Sequence, residues 1–135
     1  MKKLLFVILF IMGLSAYDDI TNKIEIIRVY DGDTFYINIE GFPAILGENI
    51  GIRINGIDTP EKRGTPPRIK KLARKAKEIL EAHLRSAKVI ELRNPVRGKY
   101  FRIVADVYVD GVSVAEIMLL SGLAKEYDGG TKPKW

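Results

Sequence analysis

Two short runs of alternating polar and apolar residues, joined by an Asp-Gly pair, place the strongest constraint on what this chain can fold into. The runs lie at residues 23–30 (KIEIIRVY) and 34–39 (TFYINI), with Asp31 and Gly32 between them. A period of two and many β-branched residues are typical of half-buried strands. An Asp-Gly pair between two such runs favours a tight hairpin turn. The sequence therefore predicts an antiparallel hairpin early in the fold.

The rest of the chain continues this β-rich pattern and adds a helix. Further strands are predicted at residues 52–57, 89–93 and 100–109, and a long loop at residues 40–51. A helix is expected between the chain break at residues 63–67 and about Ser86, because apolar residues follow helical spacing there. The residues on this stripe are Ile69, Leu72, Ala73, Ala76, Ile79, Leu80 and Leu84.

A second, short helix is predicted near the C-terminal end. Residues 113–116 (SVAE) have the form of a capping box, and the helix is expected at residues 115–121, ended by Gly122. The order is three strands, a helix, two strands and a helix. This order fits an α+β, mainly β fold, a five-stranded OB-fold Greek-key barrel with two helices.

One domain, at residues 17–135, is expected to hold all of these elements. The chain has 135 residues, enough for one core that is stable without cross-links. It contains no Cys, which excludes disulfides and thiolate metal sites. His83 is its one His, which excludes a metal site built from several imidazoles.

Residues 1–16 have the pattern of a secretory signal peptide. Lys2 and Lys3 precede an uncharged apolar run at residues 4–14, and the small residue Ala16 comes before the polar start of the domain. This order predicts cleavage after Ala16 and a secreted or periplasmic protein. An uncleaved membrane anchor stays open as the alternative, because Leu14 stands where cleavage sites prefer a small residue.

The charge balance permits an anionic partner without requiring one. The formal net charge is +5, and loss of Lys2 and Lys3 with the signal peptide leaves 20 basic against 17 acidic side chains, a net charge of +3. Basic residues cluster on the polar faces of the first helix. These residues fit a helix face that is simply solvated, and they also fit a face that helps to attract nucleic acid.

Two acidic clusters stand at the ends of predicted strands, at residues 31–34 (DGDT) and 58–61 (DTPE). Taken alone, the first cluster is explained by a hairpin turn and the second by a strand end in solvent. Together they flank strands that would be neighbours in the barrel, and carboxylates brought together raise each other's pKa unless a cation is present. Without thiols or several imidazoles, calcium or magnesium is favoured over zinc.

Arg53 and Arg102 are expected in the middle of alternating strands. Two interpretations are open: these side chains point into solvent or pair with surface acids, or they bind a phosphate. A planar guanidinium presents several donors to two oxygens of one phosphate, and it stabilises the negative charge that develops there during cleavage of a phosphodiester.

Four strings in this order resemble the staphylococcal nuclease (thermonuclease) family: YDGDT, IRINGIDTPE, KYFR, and VYVDG followed by SGLAKEY. The similarity covers roughly residues 24–127. The resemblance implies a phosphodiesterase that hydrolyses DNA and RNA at the 5′ P–O bond and leaves 3′-phosphates. It also implies one calcium ion, with magnesium as a possible substitute.

The resemblance also implies a role for each matching residue. Asp33, Asp58 and the backbone carbonyl of Thr59 would bind calcium. Glu61 would act on the attacking water as general base or positioning group. Arg53 and Arg102 would bind the phosphate, and Arg102 would also protonate or stabilise the leaving oxygen. The remaining matches are contacts to a substrate phosphate by Lys99 and Tyr100 and to a base by Tyr127.

Three features depart from the family pattern. Phe101 replaces a Gly beside Arg102, the loop at residues 40–51 is longer than in the type member, and the long C-terminal helix of that member has no counterpart. We expect Trp135 to pack back onto the barrel in place of that helix.

Three functions remain to be weighed. The first is a nuclease that acts on DNA and RNA, prefers single strands, and works as a monomer without a stable protein partner. The second is an OB-fold nucleic-acid-binding module that does not cut. The third is a structural domain stabilised by calcium. A module that only binds does not need Glu61 together with the two acids and the two arginines, so the sequence favours the enzyme.

Overall fold

The computed structural model describes residues 17–135, so the predicted signal peptide lies outside the described part. Five longer strands form one mixed sheet in the order β1-β2-β3-β6-β5, with the short β7 paired to β6. The strands are β1 (Ile24–Val29), β2 (Thr34–Ile39), β3 (Ile50–Ile54), β4 (Ile57–Asp58), β5 (Ile90–Arg97), β6 (Ile103–Val109), β7 (Val112–Ser113) and β8 (Lys125–Glu126). The helices are α1 (Ala44–Gly47), α2 (Pro67–Ser86) and α3 (Val114–Leu120).

The predicted hairpin is confirmed. β1 and β2 pair antiparallel, with Val29 opposite Phe35. The amide of Tyr30 donates to the carbonyl of Thr34 at 2.9 Å and closes the turn. Alternation then sends Phe35 and Ile37 into the core, where both are fully buried.

The sheet curls into a partly closed barrel. β3 pairs antiparallel with β2 and parallel with β6, and β5 returns antiparallel to β6. One isolated bridge then joins Ile20, ahead of β1, to Leu92 on β5, with amide–carbonyl distances of 2.8 and 3.0 Å. The fold is therefore mainly β and consistent with the predicted OB-like barrel.

Helix α2 covers one side of the barrel with the predicted stripe. Its buried residues are Ile69, Ala73, Ala76, Leu80 and Leu84. Of these, Ala76, Leu80 and Leu84 pack with the strand residues of the core. A stripe at this spacing lies on one helix face, so it buries apolar area without burying the Lys and Arg side chains beside it. α3 begins at a cap in which the hydroxyl of Ser113 accepts from the amide of Glu116 at 3.3 Å.

The predicted loop and the fourth strand differ in detail from the structure. The loop at residues 40–51 contains the short helix α1, and β3 already begins at Ile50. β5 does not end at Arg93 but continues to Arg97 through a register shift. Asn94, at the shift, has a positive φ of 49°. A bulge at this place accommodates Pro95, which has no amide hydrogen for a sheet.

The prediction of a strand from residue 100 is wrong at its start. Lys99–Phe101 form a 3-10 turn, and β6 begins at Ile103. The amide of Gly98 donates to the carbonyl of Arg102 at 2.7 Å, which closes the chain into a tight loop. Tyr100 and Phe101 at its tip have positive φ values of 57° and 59°, which a strand does not allow. Arg102 therefore lies just before β6 and not in mid-strand.

Among the described residues, no helix combines the length and the apolar character that a membrane crossing requires.

Candidate functional site

Asp33 ties the two acidic segments of the sequence together. It lies at the turn before β2 and is buried. One carboxylate oxygen accepts from the hydroxyl of Thr34 at 3.0 Å, and the other accepts from the amide of Thr59 at 3.1 Å. The DGDT turn and the DTPE segment are therefore in direct contact, as their positions at strand ends predict.

Arg53 lies between the two buried carboxylates. Its Nη1 is 3.1 Å from Asp33 Oδ2, and its Nη2 is 3.8 Å from Asp58 Oδ1. The same guanidinium donates to the carbonyls of Ile54 at 3.2 Å and Ile57 at 2.9 Å. These contacts hold the group in one orientation, and they compensate negative charge that would be costly to bury alone.

The DGDT turn has no room for a side chain at its centre. A Cβ on Gly32 would lie 2.7 Å from the Cβ of Ala76 on α2 and 3.0 Å from the side chain of Thr59. Such distances are too short for real carbon atoms. The turn therefore packs directly on α2, which fixes the position of Asp33 through Gly32.

Arg102 reaches the same face of the sheet as Arg53. A Cβ on Gly51 would lie 2.9 Å from the Cγ of Arg102, so the stem of Arg102 crosses β3 where Gly51 has no side chain. Gly51 and Arg53 are two residues apart on one strand and therefore share a face. The guanidinium Nε of Arg102 donates to the carbonyl of Lys99 at 3.2 Å.

Residues near the C-terminal end complete the cluster. The Lys132 ammonium donates to the Glu61 carboxylate and lies 3.9 Å from Asp58 Oδ1. The indole N–H of Trp135 donates to Asp58 Oδ2 at 3.1 Å, and the ring stacks under the ammonium of Lys125 at 4.6 Å. Trp135 does lie back against the barrel, as expected, and it does so at the acidic cluster.

The other predicted site residues surround this cluster without contacting it directly. Lys99 and Tyr100 lie in the exposed turn before Arg102. Tyr127 follows β8, where its amide donates to the carbonyl of Gly56 at 2.9 Å, in the turn that links Arg53 to Asp58. The hydroxyl of Tyr127 donates to the Gly130 carbonyl at 3.1 Å. The roles of these three residues in substrate binding stay predictions.

Burial raises the pKa of two acids at this site. Burial, with the negative charge of Asp33 as a second cause, raises the pKa of Asp31 to about 7. Burial also raises the pKa of Asp58, and the hydrogen bond from Trp135 opposes that rise. The hydrogen bond to Glu61 raises the pKa of Lys132, which keeps the ammonium charged. Burial thus disfavours the charged form of Asp31 and Asp58, and the nearby Arg53 and Lys132 only partly oppose this at Asp58.

The donor atoms of this cluster suit a hard cation. Within residues 17–135, no group of three or more His, Cys, Asp and Glu side chains forms a ready metal site. Asp33 and Asp58 nevertheless bring carboxylate oxygens together, and the buried hydroxyl of Thr59 has no hydrogen-bond partner. Calcium accepts carboxylate, carbonyl and water oxygens together, so two carboxylates do not exclude it. The role of the Thr59 carbonyl stays a prediction.

Sequence reasoning missed two parts of the site. Gly51 makes room for Arg102, and its position two residues before Arg53 in an alternating strand was an available signal. Lys132 reaches Glu61 across 71 positions of the chain, and no local pattern indicates that contact.

Comparisons with known proteins identify relatives of this chain. A family model described as staphylococcal nuclease homologue matches residues 51–134. A thermonuclease of Staphylococcus hyicus is 31% identical over 116 residues, which are 84% of this chain and 63% of that protein. An uncharacterised protein of Bacillus anthracis is 29% identical over 106 residues, 76% of this chain and 46% of that protein. The chain thus spans less than two thirds of the length of either relative.

Replacement of Asp31 by Asn should change how stability depends on pH. Because its pKa rises from an ordinary 3.8 to about 7, folded Asp31 holds a proton that the unfolded chain releases. The contribution of Asp31 to the free energy of unfolding therefore falls as the pH rises between these values. We expect Asp31→Asn to be more stable than the unsubstituted protein above about pH 7, with little difference near pH 4.

Urea denaturation in the presence of a chelator, across this pH range, measures the effect. Asn retains the oxygen that accepts from the amide of Asp33 at 3.1 Å, so the turn keeps its hydrogen bond. Asp18→Asn, on an exposed residue, is the matched control and should follow the unsubstituted curve. Parallel curves for Asp31→Asn and the unsubstituted protein would contradict the prediction.

Proposed function

The chain belongs to the staphylococcal nuclease family, and from this premise we propose that it is a calcium-dependent phosphodiesterase that hydrolyses DNA and RNA. The observation that carries the proposal is the contact of Arg53 with both Asp33 and Asp58, on the face of β3 that Arg102 crosses. The family model starts at residue 51, so the Asp31–Asp33 turn lies outside the match. Its contacts with Thr59 and Arg53 support its part in the site independently of that match.

Arg53 and Arg102 are suited to hold the phosphate of the scissile bond. Two guanidinium groups on one face present parallel N–H donors to phosphoryl oxygens. Arg53 is held by its contacts with Ile54 and Ile57 before substrate arrives. Donors that are fixed in advance stabilise the charge of the transition state without reorganising during the reaction.

Glu61 is suited to act on the attacking water. Its side chain is 53% exposed, so water reaches it. The hydroxyl of Thr65 donates to the backbone carbonyl of Glu61 at 2.7 Å and fixes the segment that carries it. Glu61 takes a proton from water or orients it, the water oxygen bonds to phosphorus, and the P–O5′ bond breaks. The leaving 5′-oxygen takes a proton from water beside Arg102, whose guanidinium stabilises its charge. The proton of the attacking water returns to solvent, and a 3′-phosphate remains.

Asp33, Asp58 and the Thr59 carbonyl would hold one calcium ion, which would neutralise the acids and add positive charge opposite the phosphoryl oxygens. Magnesium is a weaker candidate, because it requires a stricter octahedral geometry than this cluster is expected to impose.

We propose unstacked single strands as the preferred substrate and a monomer as the working form. Exposed aromatic residues such as Tyr30, Tyr100 and Phe101 offer ring faces on which unstacked bases can stack.

We also propose that residues 1–16 direct export and are removed after Ala16. Mass spectrometry of protein from the culture medium would then find Tyr17 at the N-terminus, and an N-terminal Met1 would contradict the proposal.

Glu61→Gln and Arg102→Ala should each lower cleavage of single-stranded DNA by a factor of about 100 or more, because they remove the water-directing group or a phosphate donor. Both residues are partly exposed and outside the core, so thermal melting should change little. Digestion by residues 17–135 with calcium, with magnesium and with a chelator measures the activity on a gel.

Glu78→Gln and Arg74→Ala, on exposed residues of α2, are the matched controls and should cut normally. Folded protein that binds DNA in every metal and leaves it intact would instead establish the binding module.

Calcium and Lys132 should compete for the same acids. Since Lys132 contacts Glu61 and Asp58, Lys132→Met removes a competing cation and is expected to tighten calcium binding by about two- to fivefold, as for loss of a surface ion pair. Trp135 is the one Trp of the chain and contacts Asp58, so its fluorescence reports the titration.

Calorimetry with calcium gives the same affinity without relying on fluorescence. Lys134→Met is the matched control, because the side chain of Lys134 is exposed and only its carbonyl is bonded, to Lys125. Equal calcium affinity in both variants would show that Lys132 does not compete.

A further inference from the structure

An apolar groove opens beside Arg102, outside the acidic cluster. It has a volume of about 320 Å³ and lies between the loop that carries α1, the turn before β6 and the segment at Tyr17, Asp18 and Ile20. Phe42 and Leu46 line it from the loop, and Val96, Phe101 and Arg102 line it from the opposite side. Pockets of this size are large enough for a small planar ligand. Arg102 thus lies between the cluster that we assign to cleavage and a second, apolar site.

The turn at the edge of this groove presents its rings to solvent under strain. Tyr100 is 88% exposed and Phe101 52% exposed. Both have positive φ values, which residues with bulky side chains such as aromatic rings rarely adopt. Strained residues of this kind persist where the surrounding structure holds them, and they cluster at ligand-binding sites. The loop closed between Gly98 and Arg102 holds them here.

Each exposed ring has a guanidinium beside it. The guanidinium of Arg97 lies 5.4 Å from the ring centre of Phe101, and that of Arg102 lies 5.5 Å from that of Tyr100. Aromatic surface interleaved with arginine fits a ligand that is planar and apolar in one part and anionic in another. An unstacked nucleotide has this character, because its base stacks on a ring and its phosphate pairs with a cation.

We propose that this groove binds a nucleobase of the substrate strand, next to the phosphate that Arg102 holds, and that Phe101 is the surface on which the base stacks. The proposal rests on the proposed function, since it assumes a nucleic-acid substrate at Arg102. Such a subsite would select unpaired strands, because a base within a duplex must leave its stack before it can enter the groove. Phe101 and the loop that carries α1 form two sides of this groove.

Binding can be measured without cleavage, in protein that also carries Glu61→Gln. Fluorescence anisotropy with a labelled oligothymidylate of about eight nucleotides reports affinity for a single strand. We expect Phe101→Ala to weaken binding about tenfold, within the range measured for loss of one base-stacking contact. Phe101→Trp should restore binding and Phe101→Leu should not, because only Trp returns an aromatic face. Leu120→Ala, on a residue 88% exposed on α3, is the control for loss of an exposed apolar side chain.

A substrate change tests the same contact without altering the fold. Single abasic positions are placed along the strand, and one of them should weaken binding to protein with Phe101 about as much as Phe101→Ala does. Protein with Phe101→Ala should bind this abasic strand almost as tightly as it binds the intact strand, because both changes remove the same interaction. In protein that retains Glu61, Phe101→Ala should raise KM for the octanucleotide. The rise should be much smaller for a diester with a single nucleoside.

The outcomes separate this proposal from the proposed function. If the protein cuts nothing in any metal but its affinity depends on Phe101 as described, the nuclease proposal fails and the subsite stands. If it cuts DNA and Phe101→Ala binds the octanucleotide as tightly as the parent, the subsite is wrong. Anionic vesicles are the second probe: binding to them that depends on Phe101, with unchanged oligonucleotide affinity, would make the groove a lipid contact and overturn the proposal.

Discussion

The guanidinium of Arg53 is the contact on which the rest of this structure depends. It lies between carboxylates from two distant turns, 3.1 Å from Asp33 and 3.8 Å from Asp58, and both acids are buried. Two buried carboxylates that face each other repel strongly, and a charge left without a partner in the interior costs several kcal/mol, of order 3–5. Arg53 reduces that cost and links β3 to both turns. The cation that permits the acids to be buried is therefore also the one proposed to receive the phosphate.

The pattern of the sequence was sufficient for the elements whose period is regular. The alternation before and after Asp31-Gly32 predicted β1 and β2, and the apolar stripe predicted α2 to within a residue of its C-terminal end. The turn at Lys99–Phe101 was out of reach, because Tyr100 and Phe101 have strand propensity. Hydrogen bonds from the amide of Gly98 to the carbonyl of Arg102 and from the amide of Arg102 to the carbonyl of Lys99 close the loop instead. Tertiary contacts overrode local preference there, as they commonly do for β-forming residues.

The site was predictable to the extent that its parts lie at strand ends. Asp33 precedes β2 and Asp58 is the last residue of the short β4, so the fold brings them together and the sequence indicated this. Lys132 and Trp135 come from a segment without regular secondary structure, and their contacts with Glu61 and Asp58 span 71 and 77 positions. Such contacts depend on the whole fold and carry no local signal, which is why this segment was expected at the barrel but not at the acids.

The bridge between Ile20 and Leu92 sets a limit on trimming at the N-terminus. It closes the barrel through a residue that lies four positions after Ala16, and Asp19 beside it accepts from the amide of Asn94 at 2.8 Å. Removal of every residue up to Asp18 would leave both contacts in place. Removal of two further residues would expose an unpaired edge of β5, with its amide and carbonyl groups open to another strand. Residues 19 and 20, ahead of β1, thus cover an edge of β5 that another strand could otherwise pair with.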